Sequence, residues 1–343
     1  MAKAFEIPGF NPNASLDECI SLMVKARTRE VESFRRGLSA KTVDAVHDMR
    51  VSCRRLQTVL LIFDDSLKKN TRRKFNKKLQ GLVKRLGKVR QFDVVMETVS
   101  PRMATANARQ LMVADLFMAR FRAKRFNAMQ KALKAFRNFA SDPLYKRYVS
   151  AACDADCPSP ARKRRRNKNA LFPLVMREFI SKLLEDFLNG AELALAEVDD
   201  PSALHAMRIR GKPLRYALEM ALPFLKKGFN DYYLEIKDMI EELGTIHDID
   251  VACFELRRFD KELYFFNALA APATGSRLSR TALIKVRKTL EVDRQTHLEK
   301  VRDTLIRWRL GRFPETVTDA LSHARWRRKA DPENKLTKAV TPE

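Results

Sequence analysis

The stretch VHDMRVSCRRLQTVLLIF, residues 46–63, decides how this chain is read. Its apolar residues recur every three or four positions, the period of a helix with one buried face. On a wheel of about 100° per residue, with His47 at zero, Arg50 and Arg54 fall within roughly 60° of it. Ala45, Met49, Leu56, Leu60 and Phe63 gather on the opposite side. That side belongs in a core. The other presents donors only, and the nearby carboxylate Asp48 stands off its centre.

The pattern occurs twice. VHDMRVSCRRLQTVL (46–60) aligns with LHAMRIRGKPLRYAL (204–218), 158 residues on, pairing His47 with His205, Arg50 with Arg208 and Arg54 with Lys212. In the second copy His205, Arg208, Lys212 and Arg215 form the cationic face, opposite Ala203, Met207, Leu214 and Leu218. A further pair follows in the same order, LGKVRQFDVV (86–95) and LGTIHDIDVA (243–252), 157 residues apart. Two matches in one order at nearly one spacing mark a duplicated helical unit.

The rest of the chain agrees with an all-α fold. Glycine is scarce, at 10 of 343 residues, and long segments keep the helical period. Ser15-Leu-Asp-Glu18 is a capping box opening a helix that should run to about Arg36. Asp200-Pro201 reads as an N-cap with proline in the first turn. Another long helix is expected over 104–140. The Pro-containing basic segment CDADCPSPARKRRRNKN (153–169) breaks the period and reads as a linker. The halves are then 12–150 and 170–315, joined by 151–169, with a polar, disordered tail expected over 329–343.

Charge bounds the partners. Sixty-seven Lys and Arg against 42 Asp and Glu give a net +25, far more than solubility requires. Such a field attracts polyanions: nucleic acid, an anionic membrane surface or a phosphate polymer. No apolar run is long enough to span a bilayer, no charged-then-apolar leader opens the chain, and the five cysteines are scattered, so a cytoplasmic protein with reduced thiols is expected. Cys153 and Cys157 lack a second pair at zinc spacing, so no metal site is expected there. His247, Asp248 and Asp250 are the one metal-like cluster, and no cofactor is implied.

HDMRVSCRRL, HAMRIRGKPLRY and the two LG segments resemble the CHAD family, histidine-containing α-helical domains named for such a motif. The resemblance spans roughly 12–315. It implies two four-helix bundles related by a pseudo-two-fold axis, a central basic groove between them, and non-catalytic binding of inorganic polyphosphate. Carried over by motif, the binding positions are His47, Arg50, Arg54 and Arg55, with His205, Arg208, Lys212 and Arg215. Some members carry a triphosphate-tunnel enzyme domain; no ExExK signature of that kind occurs here, so the chain looks like the stand-alone form. The pattern is broken at Gln57 and at Pro213, which stands opposite Arg55. His247 matches Arg90, while Glu241 and Glu242 match Lys84 and Arg85, so the first half should contribute more.

The chemistry suits such a ligand. Arginine's planar fork makes bidentate, charge-assisted bonds to phosphate, and lysine acts as a mobile point charge. Lys78, Arg85 and Arg90, on the helix leading to the first LG motif, extend the candidate path. Histidine near its reference pKa should make affinity rise as pH falls from about 8 toward 6 through His47 and His205. Asp93 and Asp250 follow the LG segments, which read as turns, and are expected to cap the next helices, with a second role in fixing an Arg or His. The rival readings are sequence-independent, weak binding of nucleic acid, to which RKRRRNK (162–168) would suit, and a metal-dependent phosphohydrolase. Single-strand binders need exposed aromatic platforms, whereas Phe117, Phe121 and Phe136 follow core spacing. Association with polyphosphate granules is compatible with the main reading.

Overall fold

The structure, a computed structural model, describes residues 7–62, 69–103, 108–153, 171–197, 200–225, 228–274 and 277–324. Residues 154–170, including Cys157 and most of the expected linker, the tail from 325, and Phe63 lie outside these. Among the described residues there are eleven α-helices and no strand, and Ser15 and Leu171 form an isolated bridge.

The first half holds α1 (Leu16–Ser33), α2 (Arg35–Ala40), α3 (Val43–Ile62), α4 (Lys69–Met103), α5 (Ala108–Ala140) and α6 (Pro143–Cys153). The second holds α7 (Phe172–Ala196), α8 (Pro201–Ala221), α9 (Phe229–Thr274), α10 (Thr281–Leu310) and α11 (Phe313–Ser322). Each half therefore has four long helices in the same order. α1 packs on α3, α3 on α4 and α4 on α5; likewise α7 packs on α8, α8 on α9 and α9 on α10. The halves meet where α3 lies on α8 and α4 on α9.

Local sequence explains most boundaries. Ser15 Oγ accepts the Glu18 N–H at 3.3 Å, a cap that contributes about 1 kcal/mol. Asp200 caps α8 through the Ser202 N–H, with Pro201 in the first turn. The helix expected to reach Arg36 instead breaks after Ser33, and α2 ends at Lys41, whose φ is 59°. A larger departure concerns the LG segments. Neither is a turn: Gly87 lies inside α4 and Gly244 inside α9, both continuous helices. Asp93 and Asp250 cap nothing, being mid-helix. Asp93 accepts from Arg125 Nε on α5, and Asp250 from Arg294 Nε on α10 at 2.6 Å. Each carboxylate therefore ties its long helix to the next one.

One continuous core runs through both halves. Met49 and Leu56 on α3, and Met207 and Leu214 on α8, are fully buried, as the wheels predict; each such side chain contributes about 1.5–3 kcal/mol. At Gly211 the backbones come close, because an added Cβ would stand 2.7 Å from Ile240 Cγ1 and 2.9 Å from Phe187 Cε2.

A ladder of alternating charge crosses the seam. Arg27 on α1 donates to Glu30, Arg55 Nη1 on α3 donates to the other Glu30 oxygen at 2.5 Å, and Arg55 Nε donates to Glu219 on α8 at 3.3 Å. Arg215 Nε donates to the second Glu219 oxygen at 3.2 Å, and its Nη1 reaches Glu241 on α9 at 3.5 Å. Arg27, Glu30, Arg55 and Glu219 are all buried. Charges removed from water this thoroughly persist only when each has its partner.

Candidate functional site: a cationic cleft

Where α3, α4, α8 and α9 converge they leave a cleft of about 580 Å³. α3 contributes His47, Arg50 and Arg54, and α8 contributes His205, Arg208, Lys212 and Arg215. Each set is spaced by three or four residues, so one helix face delivers it to one wall. α4 adds Arg90 and Gln91; α9 adds Glu241, His247 and Asp248.

Each LG glycine lies beside one of these arginines. A Cβ on Gly87 would stand 3.7 Å from Arg50 Nε, and one on Gly244 would stand 3.8 Å from Arg208 Nε. The same arginine-on-glycine contact thus occurs in both halves. A methyl group would just touch, and any larger side chain would occupy the space of the guanidinium.

Three of the six Arg and Lys side chains lining the cleft, Arg50, Arg54 and Lys212, have no carboxylate partner among the described residues. Arg50 Nε is buried and has no hydrogen-bond partner among the described residues. Among the described residues Arg54 donates only to the neutral Gln57 Oε1, at 3.3 Å. Lys212 makes no hydrogen bond or ion pair among the described residues. Arg208 is 3.7 Å from Asp248, a loose pairing, while Arg90 is held by Glu97 at 3.0 Å and Arg215 by the ladder. All the carboxylates lining the cleft come from α9.

This crowding of like charge sets the protonation states. Lys212 is pushed down to about 7, first by burial and then by Arg208, Arg50 and Arg54, with Asp248 opposing. His47 lies below its ordinary value through burial and the charges of Arg90 and Arg50, which outweigh Asp48. His205 is lowered by burial, then by Arg208 and Lys212. His247 falls to about 4 through burial, Arg208, His205 and Lys212; its ring centroid is 4.9 Å from that of His205. The histidines are therefore neutral near pH 7, below which their titration sets in.

Three of the expected binding positions lie elsewhere. Arg55 is buried in the ladder, held by Glu30 and Glu219, and does not line the cleft. Lys78 pairs with Asp142 at 2.7 Å on the far side of α4. Arg85 is exposed and does not line the cleft. His247 enters instead. The repeat itself carried that signal, since His247 matches Arg90. The metal-like cluster also separates: His247 faces His205, Asp248 faces Arg208, and Asp250 turns to Arg294. Among the described residues no group of three or more His, Cys, Asp or Glu is arranged to hold a metal ion. No described helix is long and apolar enough to cross a membrane.

An all-helical chain whose two sets of helices close on a cationic cleft defines a class of helical-bundle protein. The chain belongs to the CHAD family, whose domain profile matches residues 22–257, from within α1 to within α9. Its fold is similar to the crystal structure of the CHAD domain from the plant Ricinus communis, with a TM-score of 0.61 and 22% identity over 89% of this chain and 96% of that one. It is also similar to PptA from Streptomyces chartreusis, with a TM-score of 0.58 and 14% identity over 86% and 99% of the two chains. No curated protein gives a significant sequence match.

Proposed function

We propose that this protein binds inorganic polyphosphate, without catalysis, in the cleft between α3, α4, α8 and α9. One observation carries the reading: Arg50, Arg54, Arg208 and Lys212 converge there with Asp248, 3.7 Å from Arg208, as the one carboxylate paired to any of them among the described residues, and the Arg50 Nε is buried there without a partner. A buried guanidinium N–H left unmet costs about 1–3 kcal/mol or more, and an anionic oxygen in the cleft removes that cost. Membership in the CHAD family supports polyphosphate over other polyanions. So does the lining, whose one phenyl-type ring, Tyr216, is buried beneath Arg215. The lining thus offers no exposed Phe, Tyr or Trp platform for stacking bases, only imidazoles and guanidinium groups.

Repetition of the motif supports a duplicated unit with two unequal walls. The α3 and α4 wall brings arginines without carboxylates, so the first half contributes more affinity. A cytoplasmic location, with or without polyphosphate granules, fits this role. The deciding experiment is calorimetric titration of the full chain with long-chain polyphosphate, beside single-stranded DNA of matched charge, at two salt concentrations. Tight polyphosphate binding that is lost in an Arg50→Ala/Arg54→Ala/Arg208→Ala variant, with DNA much weaker, is expected. Equal affinity for both polymers, unchanged in the variant, would refute the reading and leave a diffuse field acting.

A further inference from the structure

Lys212 occupies an unusual position for a lysine. It sits half-buried on the α8 wall, one turn from Arg208, and Arg50 and Arg54 approach it from α3 across the cleft. From α4 the facing charge is Arg90; from α9 they are Glu241, His247 and Asp248. None of them forms an ion pair or hydrogen bond with it among the described residues. An amine so placed lies beside a ready-made seat for a phosphoryl group, with its lone pair unclaimed.

We infer that Lys212 is a site of self-acylation by acyl phosphates, small carboxylic–phosphoric anhydrides whose phosphate end the surrounding arginines hold. The phosphoryl oxygens take guanidinium donors from Arg50, Arg54 and Arg208, which places the adjoining carbonyl carbon toward Nζ. The neutral amine attacks that carbon, and a C–N bond forms. The bond from carbonyl carbon to bridging oxygen breaks, and its electron pair leaves on phosphate. The ammonium proton passes to the departing phosphate, so the products are an amide and hydrogen phosphate. The same arginines stabilise the charge on the leaving group.

Two features single out this lysine among the many in the chain. The arginine cluster recruits the reagent's anionic end, and the amine is held near pH 7 in a form with an available lone pair. An exposed lysine such as Lys182, paired only with Glu178 across one helical turn, has neither advantage. The product matters as well: the amide removes one cation from the centre of the cleft, so any anion bound there is held less tightly. The inference requires that the cleft attract phosphoryl anions, whether or not a polymer is the physiological ligand.

The test is site-resolved mass spectrometry of the full-length protein after incubation with acetyl phosphate near pH 7.5, with initial rates at Lys212 and Lys182 compared. A preference for Lys212 of about tenfold or more is expected, since roughly half or more of it is unprotonated against about one part in a thousand for an ordinary lysine. Inorganic pyrophosphate should suppress that preference, and an uncharged activated acetyl ester should show a smaller one. No preference for Lys212 would overturn the inference, as would a preference that pyrophosphate leaves intact and the uncharged ester shares. Because the readout uses pyrophosphate and covalent labelling, its failure is distinct from failure to bind polyphosphate, which the titration above measures separately.

Discussion

Arg54 and Arg55 are neighbours in sequence, and the structure assigns them opposite jobs. Arg55→Ala removes two charge-assisted bonds, at 2.5 and 3.3 Å, and leaves Glu30 and Glu219 each short of one cation. Those carboxylate side chains are 0% and 6% exposed, so water cannot replace the lost partner. Breaking a buried pair in this way costs about 3–5 kcal/mol. For 343 residues, at about 2.1 cal/mol/K of unfolding entropy each, Tm falls by about 5 °C. Arg54→Ala removes a cation that among the described residues donates only to Gln57 and crowds Arg50. Its Tm should hold or rise slightly, while polyphosphate affinity drops by about 1.5–3 kcal/mol, roughly 10- to 100-fold. The assays are thermal unfolding by circular dichroism and titration calorimetry well below the transition. If Arg55→Ala keeps its Tm and loses affinity, while Arg54→Ala loses Tm and keeps affinity, the division of labour is wrong.

Other consequences can be checked as directly. Phosphate oxygens beside Lys212 must raise it above its free value of about 7. The Lys212 contribution to polyphosphate affinity should therefore be level below about pH 7 and fall as pH rises beyond it; a Lys212→Arg variant should flatten that limb in calorimetry across pH 6–9. His47 and His205, lowered in the free protein, titrate further down, so His47→Gln/His205→Gln should alter only the acid side of the same profile, where binding otherwise gains as pH falls. Gly211→Ala forces a methyl against Ile240 and Phe187 and should destabilise by about 1–3 kcal/mol in urea unfolding, without changing binding per folded molecule. Gly87→Leu should place a side chain where Arg50 lies and weaken polyphosphate binding with little loss of stability, since the cleft side of α4 is open.

The helical period carried much of this molecule. Met49, Leu56, Met207 and Leu214 could be placed in the core, and His47, Arg50, Arg54, His205, Arg208, Lys212 and Arg215 on one surface, because those positions depend on residues three and four apart. Lys78 and Arg85 were separable by the same rule: counted from Arg90 on α4 they lie about 120° and 140° around the helix, away from the cleft. Arg55 was not separable. It lies only about 80° from His47 on the wheel, and its burial depends on Glu30 and Glu219, 25 and 164 residues distant. The LG glycines misled for a physical reason. Glycine after a helical run usually signals a C-terminus, but here its missing side chain serves a guanidinium on the neighbouring helix, and tertiary packing keeps the helix intact.

The ladder has a consequence for how the chain can be divided. Its sequence reads as two units, which invites cutting between them, yet the alternation of charge does not respect that cut. A fragment ending before α7 would keep Arg27, Glu30 and Arg55 but lose Glu219, which accepts from Arg55 Nε across the seam. A fragment beginning at α7 would keep Glu219 and Arg215 with the Arg55 side of that carboxylate empty. Neither piece is electrically closed. One cooperative unfolding transition for the two halves, rather than two, is therefore the expected outcome in scanning calorimetry.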